Sequence, residues 1–194
     1  MPTRSLALIA LALLAGGCGT VRSSWIRPDY PATDRTETVR LQVITSPAPA
    51  DVPEACELMS LVARRYTNQK RDFIAKVNRC DQTPPTTCDE GIDGLLLLEP
   101  TAEVQETKIA LKVEAKLLRC KDREPIWTAT GAGRWPKSDD KVKELAATYG
   151  SELGAVVIPW VPATFHLLRA MLDTLPMPAL MGEEAVMEKI ELGE

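Results

Sequence analysis

Gly94-Leu95-Leu96-Leu97-Leu98-Glu99 is an unbroken apolar run of strand length, closed by Pro100. Four leucines in succession leave a strand with no dry and wet face, so this one must be covered on both sides, as a strand in the centre of a sheet is. Periodicity alone also fits a buried helix segment, but Gly94 and Pro100 bound the run too closely for one. Downstream, Ile109, Leu111, Val113, Ala115 and Leu117 alternate with Lys108, Lys112, Glu114 and Lys116, which predicts a long half-buried strand. Cys120 to Pro125 reads as a charged turn, and Ile126 to Trp135 as the returning partner, carrying Trp127, Ala129 and Trp135. Gly131 and Gly133 in that partner predict a bulge or a close approach.

Upstream, Val39, Leu41 and Val43 alternate with Arg40 and Gln42, a strand over Val39 to Thr45 with one apolar face. Ser46 to Pro53 breaks it with three prolines. Asp51 and Glu54 have the spacing of a capping box, with Pro53 tolerated in the first turn. A helix to about Gln69 follows, its buried stripe being Leu58, Met59, Val62 and Tyr66 with Ala55 and Ala63. Phe73, Ala75 and Val77 return to alternation, so strand, helix and strand form a right-handed parallel crossover. Asp81 to Asp93 is a loop containing Pro84 and Pro85.

At the C-terminal side Ser138-Asp139-Asp140 opens a helix with a stripe of Val142, Leu145, Ala146, Tyr149, Leu153 and Val156, ending at Pro159. A second helix spans about Ala163 to Thr174 and is closed by Pro176 and Pro178. The expected fold is α/β (α+β): one domain over residues 37–180, a mixed sheet of about five strands with helices packed on it, in the order β-α-β-β-β-β-α-α. Residues 181–194 form an acidic tail, with a short helix from Glu183.

Ahead of the domain, Ser5 to Ala15 is apolar but too short to span a bilayer, and Arg4 precedes it. This is an export signal over residues 1–17. Leu13-Leu14-Ala15-Gly16-Gly17-Cys18 resembles the lipobox of bacterial lipoproteins, in which the cysteine is diacylated and becomes the new N-terminus. Gly19 and Thr20 follow Cys18 where lipoproteins retained at the inner membrane usually carry aspartate. The resemblance therefore implies lipidation of Cys18 and the periplasmic face of the outer membrane, held by palmitate-type chains. Residues 18–36 read as a tether punctuated by Pro28 and Pro31, with a fully extended reach of about 50 to 60 Å. Trp25, Ile26 and Tyr30 are unusual in a pure linker, so part of it should lie against the domain or the membrane surface.

The net charge of −4 argues against nucleic acid, which calls for a basic stripe. Besides Cys18 there are Cys56, Cys80, Cys88 and Cys120, an even number that in an oxidising compartment means two bridges drawn from about three possible pairings. No Cys-x-x-Cys knuckle occurs and His166 is the single imidazole, so a metal centre has no ligand set. His166 sits between Phe165 and Leu167 and reads as a core or interface residue, with no positioned partners for a serine triad. Asp139-Asp140 reads as a cap and Glu183-Glu184 as a solvated tail, with no companions for glycoside hydrolysis. Gly131-Ala132-Gly133 lacks the context of a phosphate loop. No catalytic, cofactor or metal residue emerges, and no enzyme is expected. Ala155 to Met181 is rich in large apolar residues: it either covers the sheet or forms an exposed partner patch, and its prolines and Arg169 exclude a membrane span. Trp25 and Trp160 are the candidate interface anchors.

The order of elements resembles the N-terminal domain of TolB-type proteins and the related periplasmic fold of CsgG-type and LpoB-type lipoproteins, less one edge strand. The likeness covers about Val39 to Val157 and rests on Gly91-Ile92-Asp93-Gly94 leading into the leucine run and on Pro125-Ile126-Trp127 opening the return strand. Over the whole chain it is similar to an uncharacterised family of predicted lipoproteins of myxobacteria and leptospires. The matching segments are Trp25 to Tyr30, Tyr66 to Ile74, Trp127 to Trp135 and Leu175-Pro176-Met177-Pro178. In the sheet that this resemblance implies, Cys56 and Cys80 share one end while Cys88 and Cys120 share the other, which pairs Cys56 with Cys80 and Cys88 with Cys120. The competing local link, Cys80 with Cys88, would leave Cys56 and Cys120 on opposite edges. The expected role is a noncatalytic, outer-membrane-anchored periplasmic protein that binds another envelope protein. The alternatives are a subunit of a CsgG-like secretion assembly, and a small-ligand carrier or enzyme with an unrecognised site.

Overall fold

The structure is a computed structural model that describes residues 20–45, 53–81, 83, 85 and 87–193. Cys18, the signal segment, the Asp51 cap and Pro84 lie outside the described residues. Strand β4 (Gly94–Val104) runs between a parallel neighbour, β2 (Arg40–Thr45), and an antiparallel one, β5 (Lys108–Arg119). With β1 (Val21–Ile26), β3 (Ile74–Cys80) and β6 (Pro125–Pro136) they form one mixed sheet in the order β1-β6-β5-β4-β2-β3. The α+β class is as the leucine run and the alternating hairpin predict.

The leucine run divides its side chains between two dry layers. Leu96 and Leu98 enter the main core beneath α2 (Pro53–Lys70) and α4 (Val161–Leu172), together with Leu41, Val43, Val113 and Leu117. Leu95 and Leu97 enter a smaller cluster on the opposite face with Ile44 and Ile92, against Leu118, Cys88 and Cys120. No helix covers that cluster; the loop leading into β4 does. The same loop explains why Gln42 is fully buried, although alternation marks it as wet: Gln42 Nε2 donates to Asp89 Oδ2 across 3.2 Å. Pro100 does not end the strand. The bond from Gln105 N–H to Lys108 carbonyl fixes the alternation of the hairpin, and it turns the nitrogen of Pro100 away from β5, to the side where β2 has already finished at Thr45. A missing donor costs nothing there.

The tether over residues 18–36 is corrected by the structure from residue 20 onward. Val21–Ile26 adds an antiparallel edge strand to β6, with Trp25 opposite Thr128 and Ile26 opposite Trp127, which is why the sheet has six strands rather than five. Its polar sequence suits an edge strand, since nearly all of its positions face solvent. The prolines come after it, and Pro31 occupies the first turn of the short helix α1 (Tyr30–Thr33), where a missing N–H is tolerated. The segment is then locked by Asp34, whose carboxylate is fully buried 3.2 Å from Arg119 Nη1, while Arg119 also grips both oxygens of Asp122.

Helix α3 (Lys143–Leu153) begins after a 3-10 turn whose cap is Asp139, the carboxylate accepting from Lys141 N–H. It stops at Gly154, before the expected Pro159, because Gly154 takes φ +93°, a conformation with little penalty only for glycine. Val156, placed by periodicity on the buried stripe, is consequently 48% exposed. A second 3-10 turn (Ala155–Trp160) leads into α4, and Ala155 to Leu172, long and apolar enough to cross a membrane, is instead largely buried against the sheet. Gly131 is a site of close packing, where a Cβ would lie 2.7 Å from Leu167 Cδ1 and Met171 Sδ of α4; the register shift beside it falls in β1, between Val21 and Ser23, and that of β6 lies at Ile126.

The short helix expected from Glu183 is present, but it packs on the fold and is not a solvated tail. Residues 183–193 form α5 (Glu183–Gly193), which packs Ala185 against Val39 and Ile74. Glu188 takes an ion pair from Arg40 and another from Lys76, both at 2.8 Å, and Lys189 donates to the carbonyls of Thr67, Arg71 and Phe73 at the end of α2. The Thr67 and Arg71 carbonyls lie at the helix terminus, which favours a cation, and Thr67 also accepts from Arg71 N–H.

Gly131→Ala should destabilise the domain by about 1 to 3 kcal/mol, read as a lowered urea midpoint, because the buried Leu167 and Met171 side chains must give way. Burial brings Lys189 down to about 8. The unfolded lysine, with a pKa of about 10.4, keeps its proton through a window where the folded one has lost it, so stability should rise with pH between those two values. Lys189→Met should flatten that rise in urea titrations at increasing pH; an unchanged slope would reject the assignment.

Candidate functional site

Cys56, in the first turns of α2, is bonded to Cys80 at the end of β3 with Cα atoms 5.8 Å apart, and Cys88 to Cys120 with the same separation. These are the pairs that the resemblance implies, and the local link of Cys80 to Cys88 is not formed. The second bridge fastens the loop before β4 to the end of β5, directly over Leu95 and Leu97. It closes the side of the leucine strand that has no helix.

Where β1 starts, a polar hollow opens between the sheet edge, the Asp139 cap and α4, lined by Thr20, Trp135, Asp139, Lys141, His166, Arg169 and Asp173. His166 Nε2 lies 2.9 Å from Asp139 Oδ2, so the sole imidazole joins α4 to the cap of the preceding turn. The Lys141 N–H, followed by the His166 bond, holds the Asp139 carboxyl below the usual range. Tyr66 donates to Asp173 Oδ1 across 2.5 Å, and its burial, with that bond, pushes the phenol up to about 12. No spacing in the sequence announces either pair, because each partner comes from a different element. Among the described residues no group of three or more metal-binding side chains occurs. The His166–Asp139 pair ties elements together.

The face of the sheet opposite the helices carries the other candidate. Directly opposed residues of antiparallel strands share a face, so Trp25, Thr128, Lys116 and Leu97 project to the same side, away from α2 and α4. Trp25 is 44% exposed there, on the face that also carries Lys112, Glu114, Lys116 and Glu99. Lys112 pairs with Glu114 at 2.7 Å and Lys116 with Glu99 at 3.7 Å, a solvated ladder of alternating charge. Trp160 behaves differently. It is only 5% exposed, packed in the main core, and the structure therefore removes it as an interface anchor. Of the segment Ala155 to Met181, the part up to Leu175 is mostly sheet cover, while Val156, Ile158, Met177 and Met181 are its exposed large apolar members.

No family model matches the chain, and no curated protein matches it. Among solved structures it is similar to a PelC variant dodecamer from Paraburkholderia phytofirmans, with 18% identity, coverage of 82% of this chain and 99% of that one, and a TM-score of 0.46. A DUF330 protein from Xanthomonas campestris is 12% identical over 69% of this chain and 90% of its own, with a TM-score of 0.35. An uncharacterized lipoprotein B from Nitrosomonas europaea is 16% identical over 72% and 90%, with a TM-score of 0.29.

Replacing Cys88 and Cys120 together by serine should cost about 2 to 4 kcal/mol in urea unfolding. Amide exchange should accelerate first at Leu95 and Leu97, ahead of Leu96 and Leu98. Uniform acceleration along β4 would mean that the bridge does not specifically close this face.

Proposed function

We propose that the protein is a lipid-anchored envelope lipoprotein, held through Cys18 on the periplasmic face of the outer membrane, and that it works without catalysis as a binding or assembly module for another envelope protein. The observation that carries this reading is the run Leu13-Leu14-Ala15-Gly16-Gly17-Cys18 followed by a domain with two disulfides. Disulfides of this kind persist in oxidising compartments, which supports export. Three acyl chains together would hold firmly, each buried methylene contributing about 0.8 kcal/mol. The absence of aspartate after Cys18 favours the outer membrane. Trp25, exposed on an open sheet face, supplies the kind of aromatic anchor that dominates protein interfaces.

Metabolic labelling with palmitate should mark the intact protein and leave Cys18→Ala unlabelled and released from membranes; membrane retention of the alanine variant would end the lipoprotein reading. In crosslinking from native membranes, a specific envelope protein should be captured by the parent chain and lost with Trp25→Ala. Capture that is indifferent to Trp25 would reject that residue as the anchor.

A further inference from the structure

The structure leaves almost no leash between Cys18 and the folded domain. The Thr20 carbonyl already accepts from Ala132 N–H at 2.9 Å, so the sheet ladder begins two residues after the cysteine. Two residues span about 7 Å when fully extended. An acylated Cys18 therefore sets the bilayer against the corner of the domain where β1 starts. We propose that this corner is a headgroup-binding surface for anionic phospholipid of the same membrane that holds the Cys18 acyl chains. The proposal rests on the lipoprotein reading above and adds the orientation of the domain and the residues that touch lipid.

Charge supports it. Two hollows flank Thr20, one on each side of the sheet edge: Arg22, Glu103, Lys112 and Arg134 are the charged groups of the first, and Asp139, Lys141, His166, Arg169 and Asp173 those of the second. Hydrogen bonds orient the three carboxylates without cancelling their charge, Asp139 through His166 and the Lys141 N–H, Asp173 through Tyr66 and Glu103 through Gln105, so the excess of cations lies in the first hollow. Lys112 is paired with Glu114. Arg22, Arg134, Lys141 and Arg169 pair with no carboxylate among the described residues, and all four are exposed. At the opposite end of the sheet Arg27, Arg40, Lys76, Arg119 and Lys121 each sit in an ion pair, whereas Arg35 and Arg123 are in none. Cations free of internal partners next to a lipid anchor are the arrangement that the negative potential of a phospholipid surface attracts. Lys121 follows the end of β5, roughly 30 Å from the row of Lys112 and Ala132 on ordinary strand rise, well beyond the screening length.

The test is lysine footprinting of the full lipidated protein in phosphatidylethanolamine vesicles with and without phosphatidylglycerol. Modification of Lys141 by an amine-reactive reagent should slow about fivefold when phosphatidylglycerol is present, while Lys121 stays unchanged. The protection should vanish in Arg22→Glu/Arg134→Glu/Arg169→Glu, whose substituted side chains are exposed and make no contact that the fold needs, with the protein still vesicle-bound. Equal labelling of Lys141 in both vesicles, or protection of Lys121 instead, overturns the proposal while leaving the anchor standing. Release of the parent protein from both kinds of vesicle defeats the anchor, and this orientation with it.

Discussion

Burial of the leucine strand on both faces is the constraint from which the remaining architecture follows. Each of Leu95 to Leu98 contributes about 1.5 to 3 kcal/mol when taken out of water, but only if both sides of the sheet are dry at that point. Helices α2 and α4 supply one side. Every long helix is committed to that side or to the sheet edge, so the other is closed by the polypeptide between β3 and β4, tied to the end of β5 through Cys88 and Cys120. A loop has little apolar surface of its own with which to hold such a position. The covalent bridge replaces the packing that a second layer of helices would have provided.

The two ends of the sheet are built on different electrostatic plans. Away from the N-terminus, cations are consumed in holding the fold: Arg119 neutralises the buried Asp34, and Arg40 and Lys76 share Glu188 of α5. Removing one partner from a buried pair such as Asp34–Arg119 strands the other charge, which is why such contacts are structural before they are anything else. Near Thr20 the Asp139 and Asp173 carboxylates are held by histidine, backbone and tyrosine, and Arg22, Arg134, Lys141 and Arg169 stand exposed without an ion pair among the described residues. The asymmetry is a property of pairing, and the acidic net charge of the chain conceals it.

Elements with a strong repeat were legible in the sequence. The leucine run reads as a central strand, the Ile109 to Leu117 alternation as its partner, and Leu58, Met59, Val62 and Tyr66 as one face of a helix, because in each case a single neighbour determines the pattern. What failed did so where tertiary contact overrides the local signal. Val21–Ile26 carries arginine and two serines, and only the open edge of β6 makes it a strand. Gln42 alternates as a wet residue yet is buried beneath a loop whose course no periodicity encodes. Trp160 sits in a proline-rich apolar segment that is equally consistent with core and interface; its neighbours in the fold decide for core. The His166–Asp139 pair and the capping of α2 by Lys189 join residues from separate elements, and a sequence records no such adjacency.

The pairing of β1 with β6 fixes an order of events in assembly. Val21 is opposite Gly131, about 110 residues later, and β6 is its sole partner in the sheet. A chain made from its N-terminus onward offers the β1 segment first, yet has nothing to dock it on until the hairpin of β5 and β6 is complete. The first strand of the sequence is thus the last that can join the sheet, so the N-terminal end stays outside the fold until nearly everything else is in place.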